Sequence, residues 1–416
     1  MNKNKGNVLA IGIMFFLFAM ISFVTGLQNP MGIIAKAQFG ATNLMSQLGN
    51  AANFIAYAFM GLPAGFLLKG KGYKFTALAA VAVGFVGVGI SYLSGVFSSF
   101  AVYLLGAFVS GFSMCMLNTV VNPLLNTLGG GGNKGNQLIQ LGGSLNSLSA
   151  TIVPVLAGYL IGEVTANTQV ADVNPALFIA MAIFALAFVI IFCSNIPEPE
   201  LEAAAAAGKV EKEGTLDSIK GAVSHKNLVF GVIAIFLYVG IEVGIPNVAN
   251  LYMTSADGLG LAAGVAGTLV GAYWFLMLCG RLVGGAVGGK VSSRVMMTTV
   301  SAMGIAFLLL GMFLPSAWTV SVLDTPVPVA ILFFVLCGLC TSVMWGAIFN
   351  LAVEGLGKYT SIASGLFMVM VMGGGIVPLV QGAVADVAGY INSYWVLIAA
   401  LGYILWFALV GSRTNK

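Results

Sequence analysis

Along this chain, apolar residues run without a break for about 20 residues at a time, and a helix of that length crosses the hydrocarbon core of a bilayer. Short polar or glycine-rich punctuation separates the runs. It places helices near 8–34, 46–68, 73–95, 97–128, 137–162 and 173–193, then near 227–254, 260–288, 293–316, 327–353, 359–386 and 389–411. Strands of a membrane barrel would alternate in polarity over about ten residues, and these runs do not. The pattern predicts an all-α integral membrane protein, multi-pass, with twelve transmembrane helices in two pseudo-symmetric six-helix bundles. The N-terminal bundle covers 1–196, a cytoplasmic central loop 197–226, and the C-terminal bundle 227–416.

Composition agrees. Of 416 residues 59% are apolar and 7% are charged, against about 25% charged in a soluble domain, which excludes a water-soluble protein. The basic stretch Met1 to Asn7 precedes an apolar run without a small-residue cleavage site, so the first helix is expected to be retained. Most Lys and Arg fall in loops assigned to one side: the N-terminus, the Lys69 to Lys74 connector, Lys134, the central loop, Lys290 with Arg294, Lys358 and the C-terminus. Lys36 is the clear exception. By the positive-inside rule both termini and the central loop are cytoplasmic, in a bacterial inner membrane. The net charge of +4 gathers into no basic patch, so no nucleic-acid partner is expected. The five cysteines, Cys337 and Cys340 included, lie in apolar runs and read as packing residues.

The two halves repeat each other. Ile152-Val-Pro154 with Gly158 recurs as Ile376-Val-Pro378 with Gly382; Asn122 with Leu128-Gly129 recurs as Asn350 with Leu356-Gly357; Pro30 has a counterpart in Pro246. Gly61-Leu-Pro-Ala-Gly65, followed by Lys69 and Lys71, matches Gly280-Arg-Leu-Val-Gly284, followed by Lys290 and Arg294. Repeated bundles of this kind bind substrate near the midplane and work by rocking, and glycines at four-residue spacing let helices approach and slide.

Enzyme chemistry finds no foothold: His225 is the single histidine, and no carboxylate pair or nucleophile motif falls in adjacent spans. What remains is a set of polar residues inside helices, each costly unless it faces a cavity or a partner. Glu242, near the middle of its helix, admits three readings: a structural network, a substrate or cation contact, or a proton relay. Gln28, Asn29, Asn50, Asn53, Asn118, Asn122, Asn126, Gln140 and Asn146 form an amide-rich group, and spacing of four puts Asn118, Asn122 and Asn126 on one face. Carboxamides both donate and accept, which suits a neutral polyhydroxyl ligand; the alternative is interhelical glue. Tyr57, Tyr238, Tyr273, Trp274 and Trp345 could stack on sugar rings or pack.

At these residues the chain resembles the fucose, galactose and glucose permease family of the major facilitator superfamily. The resemblance rests on Met344-Trp345, Ile348-Phe349, Gly355-Leu-Gly-Lys-Tyr-Thr360, Ser364, Gly373 to Gly375, Pro378, Gly382 and Ala385-Asp386; on Phe236-Leu-Tyr-Val-Gly240 with Glu242; on Asn122-Pro123 with Leu145-Asn-Ser147; and on Pro63-Ala-Gly65 with Gly72-Tyr-Lys74. It implies the major facilitator fold and sugar uptake in symport with a cation, H+ or Na+. The fucose branch places carboxylates in the first and fourth helices where Asn29 and Asn118 stand here, and the Phe23 to Leu27 stretch is closer to the glucose and galactose branch. Gly143 takes the place of a family glutamine, with Gln140 one turn earlier.

The expectation is a monomeric sugar importer without cofactors, embedded in lipid. Its substrate contacts would be Gln28, Asn29, Asn118, Asn122, Gln140 and Asn146, with Glu242, Asn247, Trp274 and Trp345 from the second half. Lys69, Lys71 and Arg281 would form the cytoplasmic gate and inter-helix ion pairs. The rivals are an exporter of drugs or metabolites, which would favour a greasy pocket with acids, and a transport-inactive sugar sensor, which would carry a signalling extension.

Overall fold

The computed structural model describes residues 3–26, 38, 48–161, 169–199, 201–202, 215–255 and 257–413. Ten stretches among them are long and apolar enough to cross a membrane. Ala51–Val96 contains two helices, and the amide-rich Gly132–Ile161 adds one more, so the described chain supplies twelve spans.

In chain order the spans are α1 (Lys3–Gly26), α2 (48–71), α3 (73–96), α4 (Phe100–Leu128), α5 (Gly132–Ile161) and α6 (Asn174–Cys193). After a short surface helix, Thr215–Val223, come α7 (Lys226–Thr254), α8 (Ala263–Val287) and α9 (Ser293–Phe313). The last three are α10 (Val329–Thr341 and Met344–Val353), α11 (Thr360–Val369 and Gly373–Ala388) and α12 (Tyr390–Trp406). Between α9 and α10 stands a small hairpin, Thr319–Val322 against Thr325–Pro328. Its turn residues Leu323 and Asp324 both have positive φ, the backbone of a tight two-residue hairpin loop.

What separates α2 from α3 is Gly72, at φ 82° and ψ 179°, a region closed to residues with a Cβ. The break leaves the first N–H groups of α3 without helical partners, and the Glu198 carboxylate accepts two of them, from Tyr73 (2.6 Å) and Lys74 (2.8 Å). In return Lys74 Nζ donates to the carbonyls of Phe192 (2.9 Å) and Ser194 (2.7 Å) at the end of α6. Burial pushes the Glu198 carboxyl above its ordinary range, while the two backbone donors pull it down.

The chain forms two compact units. The first comprises Met1–Leu128, Leu145–Ala222 and Leu356–Val369; the second comprises Gly129–Ser144, Val223–Gly355 and Met370–Lys416. Each therefore takes one segment from the opposite side of the central loop. In the first unit, the opening half of α11 lies on α2 where glycines meet. A Cβ built on Gly365 would fall 2.6 Å from the carbonyl oxygen of Gly61 and 3.0 Å from Cα of Gly65. In the second unit α7 is the central helix, packed against α8, α10, α11 and α12. Asn227, in its first turn, donates to the carbonyls of Leu351, Ala352 and Glu354 and so closes the C-terminus of α10.

Prolines inside two helices have matching solutions. A proline removes the bond to the carbonyl four residues back, and inside a membrane that carbonyl needs another donor. Pro123 in α4 frees Thr119, whose carbonyl accepts from the Ser364 hydroxyl at 3.1 Å. Pro246 in α7 frees Glu242, whose backbone carbonyl accepts from the Tyr273 hydroxyl at 3.2 Å.

Candidate functional site

In the first unit the polar feature is a column of carboxamides on α4. Asn118, Asn122 and Asn126 are all buried, one turn apart. Asn118 Nδ2 donates to the Tyr57 hydroxyl of α2 at 3.0 Å and to the carbonyl of Met114 at 3.1 Å. Its Oδ1 accepts no hydrogen bond among the described residues. Asn122 Nδ2 donates to the carbonyl of Asn118 at 2.8 Å, which steadies the column along its own helix. Asn146 of α5 is half-buried, and its Nδ2 donates to the carbonyl of Phe18 in α1 at 3.0 Å. Part of the amide group thus ties helices together, and Asn118 keeps an acceptor to offer. Gln28 and Asn29 lie outside the described residues.

In the second unit the centre is Glu242 with Arg281. Nη2 of Arg281 stands 3.3 Å from Oε1 of Glu242, and the two side chains are 10% and 16% exposed. The other guanidinium nitrogens have acceptors of their own: Nη1 donates to the carbonyl of Gly143 in α5 (3.0 Å) and Nε to that of Ser342 (3.3 Å). A Cβ built on Gly143 would sit 3.5 Å from Cδ of Arg281. The bare backbone at 143 therefore leaves the arginine its place, where a glutamine side chain would compete for it.

Ser342 and Val343 fall in the break between the two parts of α10; the Val343 carbonyl accepts from the Ala347 N–H of the second part, and both carbonyls also take side-chain donors from other helices. Arg281 takes the first. Gln140 takes the second, donating from Nε2 to the Val343 carbonyl at 2.7 Å and contacting Asn136 at 3.3 Å. Gln140 is thus engaged in holding α5 to α10, and Arg281 in an inter-helix ion pair at the middle of α7. Removing one partner of such a pair typically costs about 3–5 kcal/mol, because the other charge stays buried.

Around the pair stand aromatic rings. Trp345 is half-buried and meets buried Tyr238 edge-on, ring centroids 6.3 Å apart. Trp274 is exposed, with its ring edge-on to Tyr273. Asn247 is exposed on α7. Of the two lysines, Lys69 donates to the Ser218 hydroxyl of the surface helix at 2.5 Å, and exposed Lys71 lies 6.0 Å over the Phe75 ring.

Sequence reasoning singled out Glu242 and Arg281 but not their pairing, and it did not include Tyr57 or Ser342 among the site residues. Tyr57 carried a signal, since a tyrosine amid buried amides needs a hydrogen-bond partner. Ser342 carried none: what acts is its backbone carbonyl.

Comparison with known proteins bears on what this chemistry serves. The Major Facilitator Superfamily profile matches residues 12–377. The chain is 30% identical to a glucose/galactose transporter of Brucella abortus biovar 1, covering 99% of this chain and 96% of that one. It is 23% identical to the L-fucose-proton symporter of Escherichia coli strain K12, covering 100% and 96%. Among solved structures, a crystal structure of the Escherichia coli fucose:proton symporter superposes with a TM-score of 0.84 at 20% identity, covering 98% of this chain and 100% of that one.

Proposed function

The chain belongs to the major facilitator superfamily, a family of transporters rather than enzymes, and on that footing we propose that it imports a neutral hexose, glucose or galactose, by alternating access coupled to a cation. The observation that carries the reading is the buried carboxamide column with its hydroxyl neighbour. Asn118, Asn122, Asn126 and Tyr57 offer neutral donors and acceptors and no fixed charge, the complement of a sugar's hydroxyls. Oδ1 of Asn118, which accepts no hydrogen bond among the described residues, can accept from a ligand hydroxyl. Asn118 and Asn122 are the proposed sugar contacts of α4, with Gln28 and Asn29 from the segment before α2. The placement of lysines supports cytoplasmic termini, and the bacterial relatives support an inner-membrane location.

The test is uptake into proteoliposomes with a panel of labelled sugars, imposing proton and sodium gradients separately. The reading expects saturable counterflow of glucose or galactose and accumulation under one of the gradients. If no sugar of the panel exchanges, the substrate class is wrong. Counterflow with no response to either gradient would make the protein an uncoupled facilitator.

A further inference from the structure

The carboxamides that line the proposed sugar path cannot titrate, so a coupling proton must bind elsewhere. We propose that Glu242 is the residue that takes up this proton, and that Arg281 converts the event into movement of α5; the inference rests on the reading of the chain as a sugar symporter. Three features support it.

The first is isolation. Among the described residues Glu242 meets Arg281 of α8 and Tyr238 of its own helix, and its backbone carbonyl accepts from Tyr273 of α8; Cys337 of α10 lies beside Tyr273, Tyr394 of α12 donates to the Ile245 carbonyl, and α5 brings the Gly143 carbonyl to Arg281. Asp386 on α11 is exposed at that helix's far end. Of these, Arg281 is the charge that pairs with the carboxylate.

The second is the looseness of the pair. Strong guanidinium–carboxylate bonds are about 2.7–2.9 Å long and often bidentate. Here one nitrogen meets one oxygen at 3.3 Å, and the other nitrogens serve carbonyls. A carboxylate held to its arginine by one long contact, with the Tyr238 side chain as its other neighbour, is poised to exchange the arginine for a proton.

The third is what Arg281 holds. It fastens the carbonyl of Gly143 on α5 and that of Ser342 in the break of α10 to α8, so one side chain joins three helices and Glu242 makes a fourth. The step balances simply. A proton from the outer solution adds to a carboxylate oxygen of Glu242, no bond between heavy atoms changes, and the pair goes from neutral to a charge of plus one. The guanidinium then lacks its counter-charge in a place where an unpaired charge is unfavourable. Relief comes from moving toward water, which lets go of Gly143. Returning the proton to the cytoplasm re-forms the pair. The proton-loaded crossing carries the positive charge and the return does not, so an inside-negative potential drives the former.

The experiment compares wild type, Glu242→Gln and Glu242→Asp in liposomes. Infrared difference spectra between acid and neutral pH should contain a buried carboxylic-acid stretch that Glu242→Gln lacks and Glu242→Asp shifts. This readout needs no sugar, so it judges the proposal even if the substrate reading fails. In transport, Glu242→Gln should lose proton-driven accumulation by about tenfold or more, the scale of a coupling free energy between two sites, and its residual counterflow should no longer vary with pH. A difference band that persists in Glu242→Gln, a variant counterflow that keeps the wild-type pH profile, or wild-type accumulation driven by sodium alone would each overturn the assignment.

Discussion

The crossing of α2 and α11 in the first unit offers a sharp test of how closely these helices must approach. In Gly365→Ala the new methyl carbon would stand 2.6 Å from the Gly61 carbonyl oxygen, 3.0 Å from Gly65 Cα and 3.2 Å from Gly65 N. All three are backbone atoms, so no side chain can rotate out of the way. Ordinary carbon contacts begin near 3.4 Å, and the helices must therefore part by most of an ångström. Overpacking of this kind costs about 1–3 kcal/mol, which is about a 5- to 150-fold shift in an equilibrium that depends on the contact. The control is Gly402→Ala in α12, where nothing lies within 4 Å of the added carbon. Thermal unfolding in detergent, read together with initial uptake rates in proteoliposomes, should separate the two: a lower Tm and altered uptake for Gly365→Ala, neither for the control. Matching curves for both variants would mean that the crossing is looser than described and that the glycines there are dispensable.

Three further outcomes are expected. Ser364→Ala strips the Thr119 carbonyl of its donor beside Pro123 and should lower stability by about 1–3 kcal/mol, the cost of a buried unsatisfied acceptor, with Ser364→Thr closer to wild type in the same unfolding assay. Asn118→Leu should raise KM in sugar counterflow about two- to tenfold, the worth of one neutral hydrogen bond; an unchanged KM removes Asn118 from the sugar path. Because burial holds the Glu198 carboxyl above its ordinary range, the folded state favours its protonated form. That contribution to stability is present below the ordinary carboxylate range and is lost as pH rises through the raised value; Glu198→Gln should flatten this part of the Tm profile.

Much of this architecture is legible in the sequence because the bilayer enforces it. Long apolar runs have one solution, and the positions of the spans follow, including the break at Gly72, whose glycine sits between lysines in the short connector. Residues i and i+4 share a helix face, so the column of Asn118, Asn122 and Asn126 can be read off directly, as can the burial problem posed by Glu242. The rotation of one helix against another is not written in any local pattern. Arg281 stands 39 positions from Glu242, and nothing in either helix announces that they meet. The roles of Ser342, Val343 and Gly143 rest on backbone carbonyls, which every residue type possesses. The hairpin at 319–328 and the short helix Thr215–Val223 escaped for a different reason: both are short and polar enough to read as loop.

The composition of the two compact units has a consequence for how the protein is made. The first unit includes Leu356–Val369, so its packing against α2 stays unfinished until the ribosome has passed residue 369, long after α1 to α4 have entered the membrane. The second holds 129–144 from early in the chain, and the carbonyl of Gly143 waits for an arginine synthesised 138 positions later. Vectorial folding, in which each half matures as it emerges, is therefore closed to this chain. A nascent protein halted in the central loop would display glycine-lined grooves whose occupants do not yet exist, a state that membrane chaperones and quality-control proteases would meet before any finished carrier.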